Sequence, residues 1–313
     1  MAIIGIDAGA TWIKAATVNG DMSIARRVKV ASGAGQGWAR YLDSIKEAVD
    51  LLGEDGPVGL ALPAVFTSDR SAIKYFCNAE GARWDDAKSV NELFKESLGG
   101  RRVVADNDAS LATLAEWKMG GGDISQSWLH LTWGTGIGTG FVAGGVLQPG
   151  WEAGHMPVSW ESGDAECGCG SRIDLESRAA VPAMVGSARM ELEKGQLRTS
   201  LTLEDFRDSK KTSKRLIELA MEDDELAKAV VCDALLWLAR GILQMSAISM
   251  PDVITLGGAA FESDWPIDTV KDFLRQEASG FLGRMAVTDI TRRGVWGNDA
   301  GVIGAAMLIE LIS

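Results

Sequence analysis

Two stretches of this chain are built to one plan. AIIGIDAGATWIKAATVNGD (Ala2–Asp21) reads as a strand over Ile3–Asp7, a short turn over Ala8–Trp12 that carries Gly9 and Thr11, and a second strand over Ile13–Val18. SWLHLTWGTGIGTGFVAGGVL (Ser127–Leu147) repeats it: a strand over Ser127–Trp133, a glycine turn over Gly134–Gly140 with Thr135 in the place of Thr11, and a second strand over Phe141–Leu147. A single glycine hairpin constrains little. Two of them, each followed by alternating helix and strand, predict two similarly built α/β domains facing each other across a cleft.

The intervening sequence fits that plan. A third strand is expected over Ile24–Val30, and Leu42, Ile45, Val49 and Leu52 share one face of a helix over Asp43–Leu52. Val58–Leu62 reads as a strand ending at Pro63, Val90–Leu98 as a helix, and Arg102–Ala105 as a strand running into Asp106-Asn107-Asp108. Asp108 stands where the N-cap of a helix over Ala109–Met119 belongs. In the second half, helices are expected over Leu175–Leu192, Leu203–Asp208, Ser213–Met221 and Asp224–Met250, the last capped by Asp224. A strand over Val253–Leu256 runs into Gly257-Gly258, and a helix over Asp299–Leu311 closes the chain.

The glycine turns pose a question of phosphate chemistry. No G-x-x-x-x-G-K-[ST] is present, and the run from Gly134 to Gly140 is spaced G-x-G-x-G-x-G with β-formers after it, which excludes a P-loop and a dinucleotide fingerprint. One reading is a tight hairpin that needs positive φ. The other is a turn whose backbone N–H groups and Thr135 hydroxyl approach a polyphosphate. The pairing of the two turns favours the second, because Asp7-x-Gly9-x-Thr11 adds a carboxylate suited to holding Mg²⁺ through water.

On these residues the chain resembles the actin/hexokinase superfamily. GIDAGATWIKAA matches its first phosphate motif, GTGIGTG its second and VITLGGA (Val253–Ala259) its adenosine motif. More narrowly, DNDASLATLAE, EAGHM, CGCGSRIDLE and GNDAGVIGAA resemble the ROK sugar kinases, and the likeness runs over essentially the whole chain. The resemblance implies two ribonuclease H-like (actin-like ATPase) domains across a nucleotide and sugar cleft. The smaller is expected over residues 1–106 with 299–313, the larger over residues 107–298. It implies ATP-dependent phosphorylation of a hexose hydroxyl, with Asp108 as general base rather than a mere cap. Asn107, Asp108, Glu152, His155, Glu176 and Asn78 would hold the sugar. Asp7, Gly9, Ala10, Thr11, Lys14, Gly134, Thr135, Gly136, Gly257, Gly258 and Asn298 would hold ATP, with Mg²⁺ reached from Asp7. Ala10 stands where the family usually has Gly, which requires negative φ there. Trp12 and Trp133 flank the phosphate turns and Trp151 and Trp160 the sugar loop, where an indole either stacks on a sugar or packs.

The same resemblance implies a structural zinc held by one His and three Cys. Here Ile173-Asp174 replace the Gly-Cys that would supply the third thiolate. His155, Cys167, Cys169 and Asp174 remain a candidate tetrahedral set, since zinc accepts carboxylate oxygen, but a lost thiolate weakens such a site. Cys77 and Cys232 are isolated in apolar surroundings and read as buried thiols.

Lys and Arg number 31 against 43 Asp and Glu, a net charge of −12, which disfavours a nucleic-acid partner. The most apolar long stretch, Ala234–Met250, contains Arg240 and falls short of a bilayer span. No basic n-region precedes the apolar opening, so the expected location is the cytoplasm. Relatives of this type are often homodimers, the assembly the resemblance implies. Two alternatives stay open at this level: a non-catalytic sugar-binding regulator of the same fold, and a kinase that uses polyphosphate in place of ATP.

Overall fold

The computed structural model describes residues 2–76, 87–163 and 165–311. The chain divides into two compact units, one of Met1–Ile124, Gly140–Trp151 and Asn298–Ser313, the other of Ser125–Thr139 and Glu152–Gly297.

In the first unit, strands β1 (Ile3–Ala8), β2 (Trp12–Val18) and β3 (Ile24–Ala31) form an antiparallel meander. Helix α1 (Trp38–Leu52) leads to β4 (Val58–Leu62), which pairs parallel to β1. β5 (Ala64–Phe66), β6 (Ala72–Phe76) and β7 (Lys88–Ser89) make a small separate sheet that sequence periodicity did not reveal, because each strand is short. Helix α2 (Val90–Phe94) is one turn where a longer helix was expected, and it precedes β8 (Val103–Asn107), parallel to β4, and helix α3 (Asp108–Met119). The sheet order is β3-β2-β1-β4-β8. β4 is buried at every residue, as a central parallel strand must be, whereas β3 at the edge is largely exposed and carries Arg26, Arg27 and Lys29. α1 starts five residues before the expected Asp43, since Trp38 and Tyr41 extend its apolar face into an edge-to-face cluster with Phe76 and Phe94.

The second sheet runs β11-β10-β9-β12-β13, with β9 (Trp128–Trp133), β10 (Ile137–Ala143), β11 (Val146–Leu147), β12 (Val253–Gly257) and β13 (Thr291–Arg293). Its order is that of the first sheet: β12 lies parallel to β9 and β13 parallel to β12. Both sheets thus have the ribonuclease H-like order. β10 takes in Ile137–Gly140, where the glycine spacing predicts a turn, so the glycine turn shortens to Gly134–Gly136. Gly144 and Gly145, at φ 60° and 73°, reverse the chain between β10 and β11.

The second unit's helices are α4 (Leu175–Ala179), α5 (Val181–Lys194), α6 (Ser209–Met221), α7 (Glu225–Ser249), α8 (Asp264–Glu277) and α9 (Gly280–Arg284). The single helix expected over Leu175–Leu192 is broken at Ala180, because Pro182 has no N–H for the Arg178 carbonyl and its ring would strike it. Leu203–Arg207 is 3₁₀ rather than α, while Asp224 caps α7 as expected, its carboxylate accepting from the Ala227 N–H at 3.0 Å. Helix α10 (Ala300–Leu311) returns to the first unit. No helix among the described residues is long and apolar enough to cross a membrane.

His130 of β9 illustrates how the second sheet is sealed. It is 1% exposed and its Nδ1 lies 2.8 Å from the Thr255 hydroxyl. Burial pushes its pKa down from 6.5 to about 4. The unfolded chain takes up that proton first, so stability is full above about pH 6.5 and falls as pH drops toward 4. Between pH 7 and pH 5 the loss from this residue is about 2 kcal/mol. His130→Gln should remove that part of the slope in urea unfolding at the two pH values. An unchanged slope would mean the imidazole is not held neutral.

Candidate active site

In a sheet of this kind the carboxyl ends of the parallel strands are where ligands gather. In the first unit the register sets Asp7, Ala61 and Asp106 in one row across β1, β4 and β8, with Leu62 beside Asn107. Asp7 and the Asn107–Asp108 junction therefore lie at the same end of the sheet. Tyr41 of α1 lies beneath them. Its hydroxyl donates to the Ala8 carbonyl, and burial, then the charges of Asp108 and Asp7, push its pKa well up.

The first glycine turn is closed by the Gly9 N–H donating to the Trp12 carbonyl at 3.1 Å, with Ala10, Thr11 and Trp12 exposed. Ala10 stays outside the positive-φ region, so its methyl costs nothing. Lys14 Nζ bonds Asp7 Oδ2 at 3.0 Å and the Asn298 carbonyl at 3.2 Å, which brings Asn298 to this turn. A Cβ on Gly301 would sit 3.1 Å from Asp7 Cγ, so the start of α10 lies directly against that carboxylate.

Asp108 is the first residue of α3 and not its cap. The N-cap is Asn107, whose Oδ1 accepts from the Ser110 N–H at 3.0 Å, while its amide donates to the Ala64 carbonyl at 3.4 Å. Capping therefore does not account for the Asp108 carboxylate, which accepts from the Ala109 N–H at 2.8 Å.

The second unit gathers the other turn and the histidine loop. Gly134, Gly136, Gly138 and Gly140 all avoid positive φ, which removes the first of the two readings of this run, a hairpin that needs it. Close approach explains Gly136 instead, since a Cβ there would lie 2.5 Å from Glu176 Oε1. Glu176 of α4 accepts from the Ile137 N–H through Oε1 at 2.6 Å and from the Cys167 thiol through Oε2 at 2.9 Å. Thr135 is exposed at the tip of the turn. Gly257 and Gly258 end β12 beside β9. A Cβ on Gly258, at φ 92°, would strike Trp133 backbone at 2.5 Å, and one on Gly257 would meet His130 at 2.9 Å.

Glu152 precedes a 3₁₀ turn, Ala153–His155, seated by the Ala153 N–H on the Thr139 hydroxyl at 3.0 Å. Gly154 lies so close to the Ile137 carbonyl that a Cβ would be 2.0 Å away. His155 Nδ1 then lies 3.2 Å from Asp174 Oδ2, 3.6 Å from Cys167 Sγ and 3.8 Å from Glu176 Oε2. Cys169 Sγ is 3.4 Å from Asp174 Oδ2. Ligand atoms of His155, Cys167, Cys169 and Asp174 all fall within 4.8 Å of one another. Tetrahedral zinc with bonds of 2.0–2.3 Å sets its ligand atoms roughly 3.3–3.8 Å apart, so the donor set fits in number and type, and its contacts of 3.2, 3.4 and 3.6 Å fit in spacing. Asp174, 1% exposed, uses its other oxygen to cap α4 at Ser177 N, 2.9 Å away. Burial works to raise that carboxyl, but its hydrogen bonds from Ser177 and His155 hold it below the usual range.

Of the remaining expectations, Asn78 and Cys77 lie outside the described residues. Cys232 is half-buried rather than enclosed. Trp133 is fully buried and Trp151 stacks on Phe141, so both pack, whereas Trp12 lies under Lys29 and Trp160 is 89% exposed. No local sequence signal marks Tyr41 or Arg70, whose partners Ala8 and Asp106 lie 33 and 36 residues away.

A sequence model of the ROK family matches residues 3–311. A glucokinase of Halalkalibacterium halodurans is 29% identical over 98% of this chain and 94% of its own length. An N-acetylmannosamine kinase of Shigella flexneri is 26% identical over 99% of both chains. The crystal structure of a ROK family glucokinase from Streptomyces griseus, in complex with glucose and AMPPNP, superposes with a TM-score of 0.79 at 24% identity, covering 98% of this chain and 99% of that one.

Proposed function

This chain belongs to the ROK family, and on that footing we propose that it is a sugar kinase that moves the terminal phosphoryl of ATP to the O6 hydroxyl of a hexose. The observation that carries the reading is the placement of Asp108: a carboxylate at the carboxyl end of β8, on the same edge as Asp7, with the helix cap assigned to Asn107. Asp108 takes the proton of the attacking hydroxyl. Asn107, whose Oδ1 is committed to Ser110, meets the sugar from its amide nitrogen, which also donates to the Ala64 carbonyl. In the second unit the groups suited to sugar hydroxyls are Glu152, His155 and Glu176, His155 through Nε2 because Nδ1 faces Asp174 and the Cys167 thiol.

For ATP the fitting groups of the first unit are the exposed turn Gly9–Thr11 with Lys14 and Asn298, and those of the second are the turn Gly134–Gly136 with Gly257 and Gly258. Mg²⁺ bound through Asp7 would neutralise charge on the transferring phosphoryl. The test is formation of sugar phosphate from a panel of neutral and N-acetylated hexoses, with ATP or polyphosphate as donor. One hexose turned over with ATP supports the reading. Turnover with polyphosphate alone replaces the donor, and tight sugar binding without turnover points to a regulator.

His155, Cys167, Cys169 and Asp174 are proposed to hold a structural zinc that braces the sugar loop and takes no part in the chemistry. Protein produced with zinc should carry about one ion per chain, and chelation should lower its melting temperature. Cys169→Ser should carry far less metal. Wild type that stays metal-free in zinc-supplemented medium would refute the assignment.

A further inference from the structure

Arg70 closes the Thr67–Arg70 turn between β5 and β6 with φ 60°, a left-handed conformation that a long side chain seldom adopts. The turn is held by the Arg70 N–H on the Thr67 carbonyl at 2.9 Å and by Asp69, which accepts from the Thr67 hydroxyl at 2.6 Å and the Ser71 N–H at 3.1 Å. This conformation sends the guanidinium inward. Nε donates to Asp106 Oδ2, and one terminal nitrogen donates to the Leu147 carbonyl of β11 at 2.8 Å. Asp106 is 5% exposed, and its other oxygen, Oδ1, accepts from the Asn107 N–H at 2.8 Å. Burial raises the Asp106 carboxyl and the Arg70 charge opposes that rise. The two residues after Asp106 are the proposed sugar ligand and the proposed base.

We infer that Arg70 is a positioning residue: through its ion pair it keeps the buried Asp106 carboxylate charged and in place, and that carboxylate, holding the Asn107 N–H, fixes the peptide that presents Asn107 and Asp108. The inference rests on the kinase reading above. Without the guanidinium a nearly enclosed carboxylate loses its counter-ion, and it either takes up a proton or turns toward water. Either response loosens the grip on the Asn107 N–H. A shift of about 1 Å at the base is enough to cost roughly 100-fold in rate.

Arg70→Asn is the informative variant, because Asn tolerates positive φ and so keeps the turn while removing the charge. Its kcat on the preferred hexose should fall roughly 10- to 100-fold, with the KM for ATP changed less than about twofold. Arg70→Lys, which keeps a cation for Asp106 but not the contact to Leu147, should recover part of the rate. Arg70→Asn with Asp106→Asn should turn over faster than Arg70→Asn alone, since no buried charge is then left unpaired. Two structural defects would instead add. An Arg70→Asn enzyme with wild-type kcat overturns the positioning role and leaves the kinase reading intact. So does a double variant slower than both single variants. A wild type that phosphorylates no hexose overturns the kinase reading, and this inference with it.

Discussion

Asp108→Asn is expected to lower kcat by roughly 10²- to 10⁴-fold, the usual weight of a general base, while sugar affinity changes little. Asparagine has the shape of aspartate and can still bond a hydroxyl, but it cannot accept the proton that the hydroxyl must lose as it attacks. The backbone should tolerate the change, because the N-cap bond that starts α3 comes from Asn107. Asn107→Ala should behave in the opposite way. It removes that bond and should lower stability by about 1 kcal/mol, together with sugar affinity. Steady-state rates, sugar titration by tryptophan fluorescence and thermal melts separate the two. If Asp108→Asn keeps more than a tenth of the wild-type rate, Asp108 is not the base.

Much of this arrangement was legible in the sequence because it depends on local signals. The strand–glycine–strand repeat fixed both hairpins, and β4 was read to the residue because five apolar positions end at a proline. The candidate site residues come from motifs, and the structure brings Lys14 against both Asp7 and Asn298, and groups His155 with Cys167, Cys169 and Asp174. What could not be read depends on contacts between distant residues. Whether Asp108 or Asn107 caps α3 turns on a single φ/ψ step between adjacent polar residues, either of which suits the role. The length of the second turn was misjudged because Gly138 and Gly140 look like turn residues but lie in a strand. A Cβ on Gly140 would sit 2.1 Å from the Thr113 hydroxyl of α3, 27 positions away in sequence, and no local pattern encodes that neighbour. Arg70 was invisible for the same reason: its partner is 36 residues on.

The same non-local packing gives the largest expected effect on stability. Helix α10 lies backbone-to-backbone on the first sheet and on α3. A Cβ on Gly59 of β4 would fall 1.8 Å from the Ala305 carbonyl oxygen, and one on Gly304 of α10 would fall 1.8 Å from the Leu111 carbonyl oxygen. Neither obstacle is the end of a flexible side chain, so the helix itself must retreat. Gly59→Val should therefore cost about 3 kcal/mol or more, lowering the melting temperature by roughly 10 °C. Gly186→Ala on α5, where a Cβ meets nothing within 4 Å, is the control, and it should be neutral or stabilising by up to about 1 kcal/mol. The consequence reaches the candidate site, because Gly301, the second residue of α10, lies against Asp7, and Gly304 meets α3 one turn after Asp108. At a temperature where Gly59→Val is still folded, its kcat should drop more than its sugar affinity. A variant that melted with wild type and kept its rate would show that α10 does not set the spacing between the Gly9–Thr11 turn and Asp108.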